Sequence, residues 1–423
     1  MKVSDSWEAL RDKDFRWFFI ARTVSRIGSS MAPVALAFAV LEVEQKAVAL
    51  GLVMAARTTA MIVFLLVGGV ISDRFSRRVV LQVSHVLTAL TQGTVAWLVI
   101  TGNATVPSIV AIEAINGAVT AFTMPAMQGL VPQLVPNRLL QQANALMSFA
   151  MQGTTVIGPA LAGLIVAGPG AGWALAVDAM TYAIAVVALA RVTIPPVARA
   201  ATSMLHDLRE GWSEFTSRQW LWVIVLAFGF LNAIHVGAWV VLGPFIATRH
   251  PDLLGERGWG LVLSAEAVGA VLMTVVLMRG QLRHPLRAGM LGVCLVVPAL
   301  VMLGVAPSVW LLLPVAFAAG MGMEVFGTGW NVALMENVPQ RALSRVASYD
   351  ALGSFVAMPV GATVFGWLAA VADPRWLAVI SGVAYLLISL AALAVPSVWR
   401  LGRRDDASPE PAAGPEPAAG STR

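Results

Sequence analysis

Charge is scarce in this chain. Asp, Glu, Lys and Arg make up 12% of its 423 residues, where soluble domains carry roughly 25%. Hydrophobic residues supply 58%, and the mean hydropathy of +0.78 excludes a soluble globule. Lysine is scarcer still, present only as Lys2, Lys13 and Lys46. None of the three follows a glycine, so there is no G-x-x-x-x-G-K-[ST] loop and ATP hydrolysis through one is excluded. Cysteine occurs once, as Cys294, which rules out an intrachain disulfide. His and Cys never gather at metal-ligand spacing, so neither a metal nor a cofactor is expected. No cleavable signal peptide is visible, because Met1 to Asp14 is polar and the first apolar run is too long for a signal core.

What the chain has is long apolar runs. About 20 such residues cross a bilayer core as a helix, and twelve runs qualify: roughly 15–41, 48–72, 79–101, 107–131, 143–167, 173–191, 220–246, 259–278, 287–305, 308–333, 346–371 and 375–396. Strands would alternate over shorter stretches, so the runs are read as helices. Cations orient them. Arg74, Arg77, Arg78, Arg138, Arg199, Arg209, Arg283, Arg341, Arg403 and many others fall on one side; only Lys46, Arg249, Arg257 and Arg375 fall on the other. That asymmetry puts both termini in the cytoplasm. The longest connection, 192–219, divides the spans six and six, and its Met204–Phe215 segment has the look of a short amphipathic helix. Residues 400–423 are Pro/Gly/Ala-rich with no apolar payload and are expected to be disordered. The expected organisation is a six-span half (1–191), a linker (192–219), a second six-span half (220–399) and a tail.

The halves repeat one another. Gly51-Leu-Val-Met-Ala-Ala-Arg57 returns as Gly260-Leu-Val-Leu-Ser-Ala-Glu266, and Val135-Pro136-x-Arg138 as Val338-Pro339-x-Arg341, with Gly158 opposite Gly361 and Gly163 opposite Gly366. Several matches in register point to duplication. Between the second and third runs stands Gly69-Val-Ile-Ser-Asp73-Arg74-Phe-Ser-Arg77-Arg78. Its pattern resembles the signature loop of the major facilitator superfamily of secondary transporters, with Ser76 in place of a usual glycine. Gly158-Pro159-Ala-Leu-Ala-Gly163 is similar to the span-five motif of that superfamily's antiporters. The F-R-x-F-F start of the first run and Val338-Pro339-x4-Ser344-Arg345-Val-x-Ser348-Tyr-Asp350 place the resemblance in the drug:proton antiporter branch that includes the enterobactin exporter and macrolide efflux proteins.

That resemblance implies an all-α membrane fold of twelve transmembrane helices in two six-helix halves related by a pseudo-two-fold, with both termini cytoplasmic. It implies a multi-pass, monomeric protein of the bacterial inner membrane that exchanges a small molecule for protons and has no nucleic-acid partner. Gly69, Asp73, Arg74, Arg77 and Arg78 would form a gating latch against span eleven. Gly158, Pro159 and Gly163 would let span five rock against its neighbour. Spans one, four, seven and ten would line the cavity. The family's proton-relay arginine is absent, because its position holds Glu113.

Ionisable residues in mid-membrane cost at least ~2.5–3.5 kcal/mol each, so they face an interior or a watery cavity. Arg26, Arg57, Glu113, His235, Glu266 and Glu324 are therefore the candidates for substrate binding and proton coupling, with Arg57 and Glu266 as a possible pair across the halves. Deep acids, with Asp178 among them, outnumber deep arginines, so at least one carboxyl lacks a cation and is free to load and release a proton; Glu324 is first choice and Glu113 second. Met321, Met323, Phe326 and Trp330 offer an apolar binding surface. The residues point to a non-enzymatic exporter of a moderately apolar molecule. An importer or facilitator of the same fold, and a non-transporting sensor or lipid-handling protein, are the alternatives.

Overall fold

Twelve helices in the computed structural model are long and apolar enough to cross a membrane. The structure describes residues 9–74, 77–128, 130–193, 212–213, 215–280 and 282–402, without the side chains of 65–77, 124–129, 132–133, 137, 141, 340–345 and 348. Spans one to six are Lys13–Val43, Ala47–Arg74, Arg77–Ile100, Val106–Gln128, Leu140–Val166 and Ala171–Ala190. Span seven runs through Gln219–Ile234, a π-helical segment His235–Val241 and Leu242–Arg249. Spans eight to twelve are Gly255–Leu277, Pro285–Val305, Val309–Asn337, the pair Gln340–Phe355 and Met358–Val371, and Pro374–Leu393.

Local chemistry sets the ends. Asp12 caps span one, its Oδ1 accepting from the Asp14 and Phe15 amides at 2.9 and 3.1 Å, which satisfies donors a helix start leaves free. Val338-Pro339 stops span ten, and Pro339 precedes span eleven, because proline cannot continue a helix but fits the start of one. Span eleven thus begins several residues before its apolar run.

Burial follows membrane logic. Span three hides Ser84, His85, Thr88 and Gln92 while Val83, Leu87, Leu90 and Trp97 are exposed, so its polar stripe faces protein and its apolar stripe faces lipid. Within each half, close crossings rely on glycine. A Cβ on Gly117 of span four would collide with the Arg57 carbonyl of span two, and a Cβ on Gly320 of span ten with the Glu266 carbonyl of span eight. The repeat is thereby visible in three dimensions.

The halves meet through two seams, span two with the Met358–Val371 part of span eleven and span five with span eight. Cβ atoms added at Gly163 and Gly260 would lie 2.8 Å from the Glu256 carbonyl oxygen and 2.5 Å from that of Pro159. In the other seam Gly366 would come within 2.9 Å of the Ala47 oxygen, and Gly51 would strike Ala362. Gly51 and Ala47 stand in the repeat where Gly260 and Glu256 stand, and Gly366 and Ala362 where Gly163 and Pro159 stand. The two seams are copies of one contact. Both lie at the face that carries the junction of spans one and two, called here the far face. Toward the opposite, terminal face the halves diverge. The Gln340–Phe355 part of span eleven packs on span seven, a Cβ added at Gly153 would meet no atom of another element within 4 Å, and Phe149 is 78% exposed. Among the described residues the halves join at the far face and separate toward the terminal one, which leaves a cleft open there.

The expected linker helix and tail fall largely outside the described residues. At the linker's end Trp212 and Phe215 stack with a centroid separation of 5.8 Å, and both pack on Tyr349 of span eleven.

Candidate functional site

Each half has its own polar centre, and the two differ in chemistry. In the first, the crossing at Gly117 brings span two against span four, so Arg57 reaches Glu113: Nη1 to Oε2 is 3.0 Å. Glu113 has no solvent exposure, and Asn116 supplies a further donor at 3.4 Å. An ionised pair that deep persists only when its geometry and hydrogen bonding are good. The possible cross-half pair between Arg57 and Glu266 is absent. Arg57 is taken up within its own half, and Glu266 accepts from Trp239 Nε1 at 3.0 Å within the other. Where the first half has Glu113 beside span two, the second has the buried, chargeless Ala316 beside span eight, so Glu266 turns to an indole.

Spans one, three and six complete the first centre. Ser29 Oγ lies 2.7 Å from Tyr182 Oη, and the Tyr182 ring meets His85 edge-on at 5.2 Å. Asp178 is 1% exposed and neither carboxylate oxygen has a hydrogen-bond partner; it sits where span one narrows to Gly28. The sequence counts Asp178 among the deep acids but not among the candidates for binding and coupling. The signal for its isolation was the arithmetic of deep acids against deep arginines. Arg22 and Arg26 make no ion pair with any described residue.

In the second half His235 opens the π-helical segment, and its Nδ1 is buried without a partner. A π-helix inside a span is a frequent mark of function. Asn232, a turn earlier, donates to the Ser354 carbonyl at 3.0 Å and so ties span seven to span eleven. Glu324 accepts only from Thr328 of its own helix, at 3.2 Å, and pairs with no cation among the described residues. Asp350 takes Trp330 Nε1 at 2.9 Å and Ser354 Oγ at 3.2 Å. Phe326 and Trp330, expected on a binding surface, are core instead: Phe326 stacks on Phe228 at 3.9 Å, Trp330 meets Trp220 edge-on, and all four are buried. Met321 and Met323 remain half-buried.

Span five divides its small residues between two tasks. Gly158 admits Ser30 of span one, and Gly163 admits span eight; Pro159 lies between them inside the helix. Of the loop before span three, the Gly69, Asp73, Arg74 and Arg77 side chains lie outside the described residues. Arg78 is described, and its Nη2 donates to the Ala190 carbonyl at 2.8 Å. It caps the C-terminal end of span six, where free carbonyls attract a cation, and it has no hydrogen bond to a described residue of span eleven.

The family described as "Transmembrane secretion effector" matches residues 4–416. The enterobactin exporter EntS of Citrobacter koseri is 25% identical over 409 residues, covering 94% of this chain and 95% of that protein. EntS of Shigella boydii is 26% identical over 392 residues, with coverage of 90% and 91%. Among solved structures, the nucleoside transporter NupG superposes with a TM-score of 0.74 at 14% identity, covering 92% of this chain and 99% of its own. A bacterial homologue of the iron transporter ferroportin in an inward-facing state gives 0.69 at 18% identity, covering 91% and 98%.

Proposed function

Because the chain belongs to the transmembrane secretion effector family of major facilitator transporters, we propose that it exports a moderately apolar small molecule across the bacterial inner membrane by alternating access, in exchange for protons. The observation that carries this reading is the pair of equivalent far-face seams above a cleft open at the terminal face. With the termini cytoplasmic, as the distribution of cations argues, that cleft is the loading state of an exporter. Duplicated seams of backbone against glycine suit a contact that must part and re-form as the halves rock.

Coupling needs a carboxyl that a fixed cation does not hold. Glu113 is held by Arg57. Glu324 is not so held and lies half-buried on span ten, which makes it the first candidate for the proton site. Asp178 and Glu266 also lack a cation among the described residues. One proton moving down 100 mV yields ~2.3 kcal/mol, enough for more than a tenfold gradient at ~1.4 kcal/mol per decade.

The test uses everted membrane vesicles with an imposed proton gradient and two labelled probes, enterobactin and erythromycin. Wild-type protein should concentrate at least one, a proton ionophore should abolish that, and Glu324→Gln should lose accumulation yet keep passive exchange. Accumulation confined to right-side-out vesicles would make the protein an importer. Full accumulation by Glu324→Gln would move the coupling site elsewhere.

A further inference from the structure

Resting on the exporter reading, we propose that the exported molecule carries an acidic group, such as a carboxylate on an aromatic ring, and that Arg22 and Arg26 receive it in a pocket between spans one and five. Two arginines one helical turn apart repel each other, and each is expensive at membrane depth. Arg57, in the same half, has Glu113. Arg22 and Arg26 have no acid within salt-bridge distance among the described residues, and the Arg26 Nε is buried with no hydrogen-bond partner. Asp178 does not serve them, since it lies against the Gly28 face of span one.

A cavity of about 160 Å³ is lined by both Arg22 and Arg26. Thr23, whose Oγ1 is also buried and unpartnered, lines it, as do Asn144 and Ser148 of span five and the apolar Met151. A dry cavity of about 150 Å³ accepts benzene, so this one holds a single ring bearing one acidic group. Guanidinium forks match a carboxylate in geometry as well as charge, and the threonine, asparagine and serine add donors around it. Asn144 and Ser148 are exposed, which leaves a route in.

Position argues for cargo over lipid. Arg26 stands thirteen residues beyond Lys13, the start of span one, so it is about 20 Å along the helix at 1.5 Å per residue. That is deeper than the phosphates of the nearer leaflet, given a hydrocarbon core of ≈ 30 Å. Asn144 lies about four helical turns before Gly158, on the face of span five that meets span one. Ser148 adjoins Phe149, an exposed residue on the strip of span five that farther along, at Gly163, forms the seam with span eight. The pocket thus borders the cleft.

The experiment measures binding of labelled benzoate, with benzamide as the uncharged isostere, to purified protein in phosphatidylcholine nanodiscs and chloride-free buffer. Saturable benzoate binding is expected, without benzamide binding. Arg22→Gln and Arg26→Gln should each weaken it at least tenfold, and Arg26→Lys should recover part. Ser148→Phe, which fills the cavity from its exposed side, should block it and serves if an arginine variant fails to fold. Wild-type protein that ignores benzoate, or an Arg22→Gln/Arg26→Gln double variant that binds it normally, would overturn the proposal. So would native mass spectrometry in which phosphatidylglycerol is retained by wild type, lost by the double variant and not displaced by benzoate; the pocket would then be a lipid site. Because the readout is binding, arginine-dependent benzoate capture in a protein that fails to export would sink the exporter reading and leave the pocket standing.

Discussion

Removing Arg57 would strand Glu113 in a site without solvent, with only the Asn116 amide at 3.4 Å. Breaking a buried pair from one side costs about 3–5 kcal/mol, whereas replacing both members with apolar residues is often neutral. Arg57→Met should therefore lower the melting temperature in detergent markedly, and Arg57→Met/Glu113→Met should recover most of the loss. A single variant that melts like wild type would remove the pair as a structural element. Ionisable residues at membrane depth were legible in the sequence because hydropathy makes each one conspicuous. Their partners were not. Whether Arg57 meets Glu113 or Glu266 depends on how closely span two crosses span four at Gly117, and helical periodicity says nothing of crossing distance. Phe326 and Trp330 misled for a related reason: an aromatic pair on a cavity-lining span looks the same whether it faces the cavity or stacks on Phe228 and Trp220 behind it.

Among the elements, the spans were nearly all legible, since length and hydropathy suffice for a helix that must satisfy its backbone internally. Departures occur where backbone chemistry, not hydropathy, sets the boundary: Val338-Pro339 starts span eleven early. The π-helical His235–Val241 has no counterpart in a pattern of apolar residues. The glycines of the repeat were visible, but their partners across the molecule were not. Gly260→Leu offers a direct test, because its added atoms would meet the Pro159 oxygen and the Gly163 backbone and cannot be accommodated with that seam shut. Spin labels at Lys46→Cys and Arg257→Cys in a Cys294→Ser background should give one distance in the parent and a second, longer population with Gly260→Leu. An unchanged distribution would mean the seam closes by other means.

Taken whole, the molecule's orientation rests on where its cations lie. Lys46 is exposed at the far face, and its ion pair with Glu44, 2.8 Å apart, is too solvated for its loss to matter much. In intact cells a membrane-impermeant maleimide should label Lys46→Cys in the Cys294→Ser background. Labelling only after the membrane is opened would invert the assignment and make the cleft outward-facing. The duplicated seams also bear on genetics. Two equivalent contacts hold the far face, so each backs up the other: Gly51→Leu or Gly260→Leu alone should leave measurable export, and the double variant should lose far more than the product of the two single effects. At the terminal face the repeat has no such reserve, because the position of Asp73 is held by Leu282 in the second copy. Asp73→Asn alone should remove most export at near-normal expression, with wild-type rates ruling out a latch there. A library of single substitutions scored for export should then read as lopsided, permissive along the far-face glycines and unforgiving at one acid, with redundancy on one side of the membrane and a single point of failure on the other.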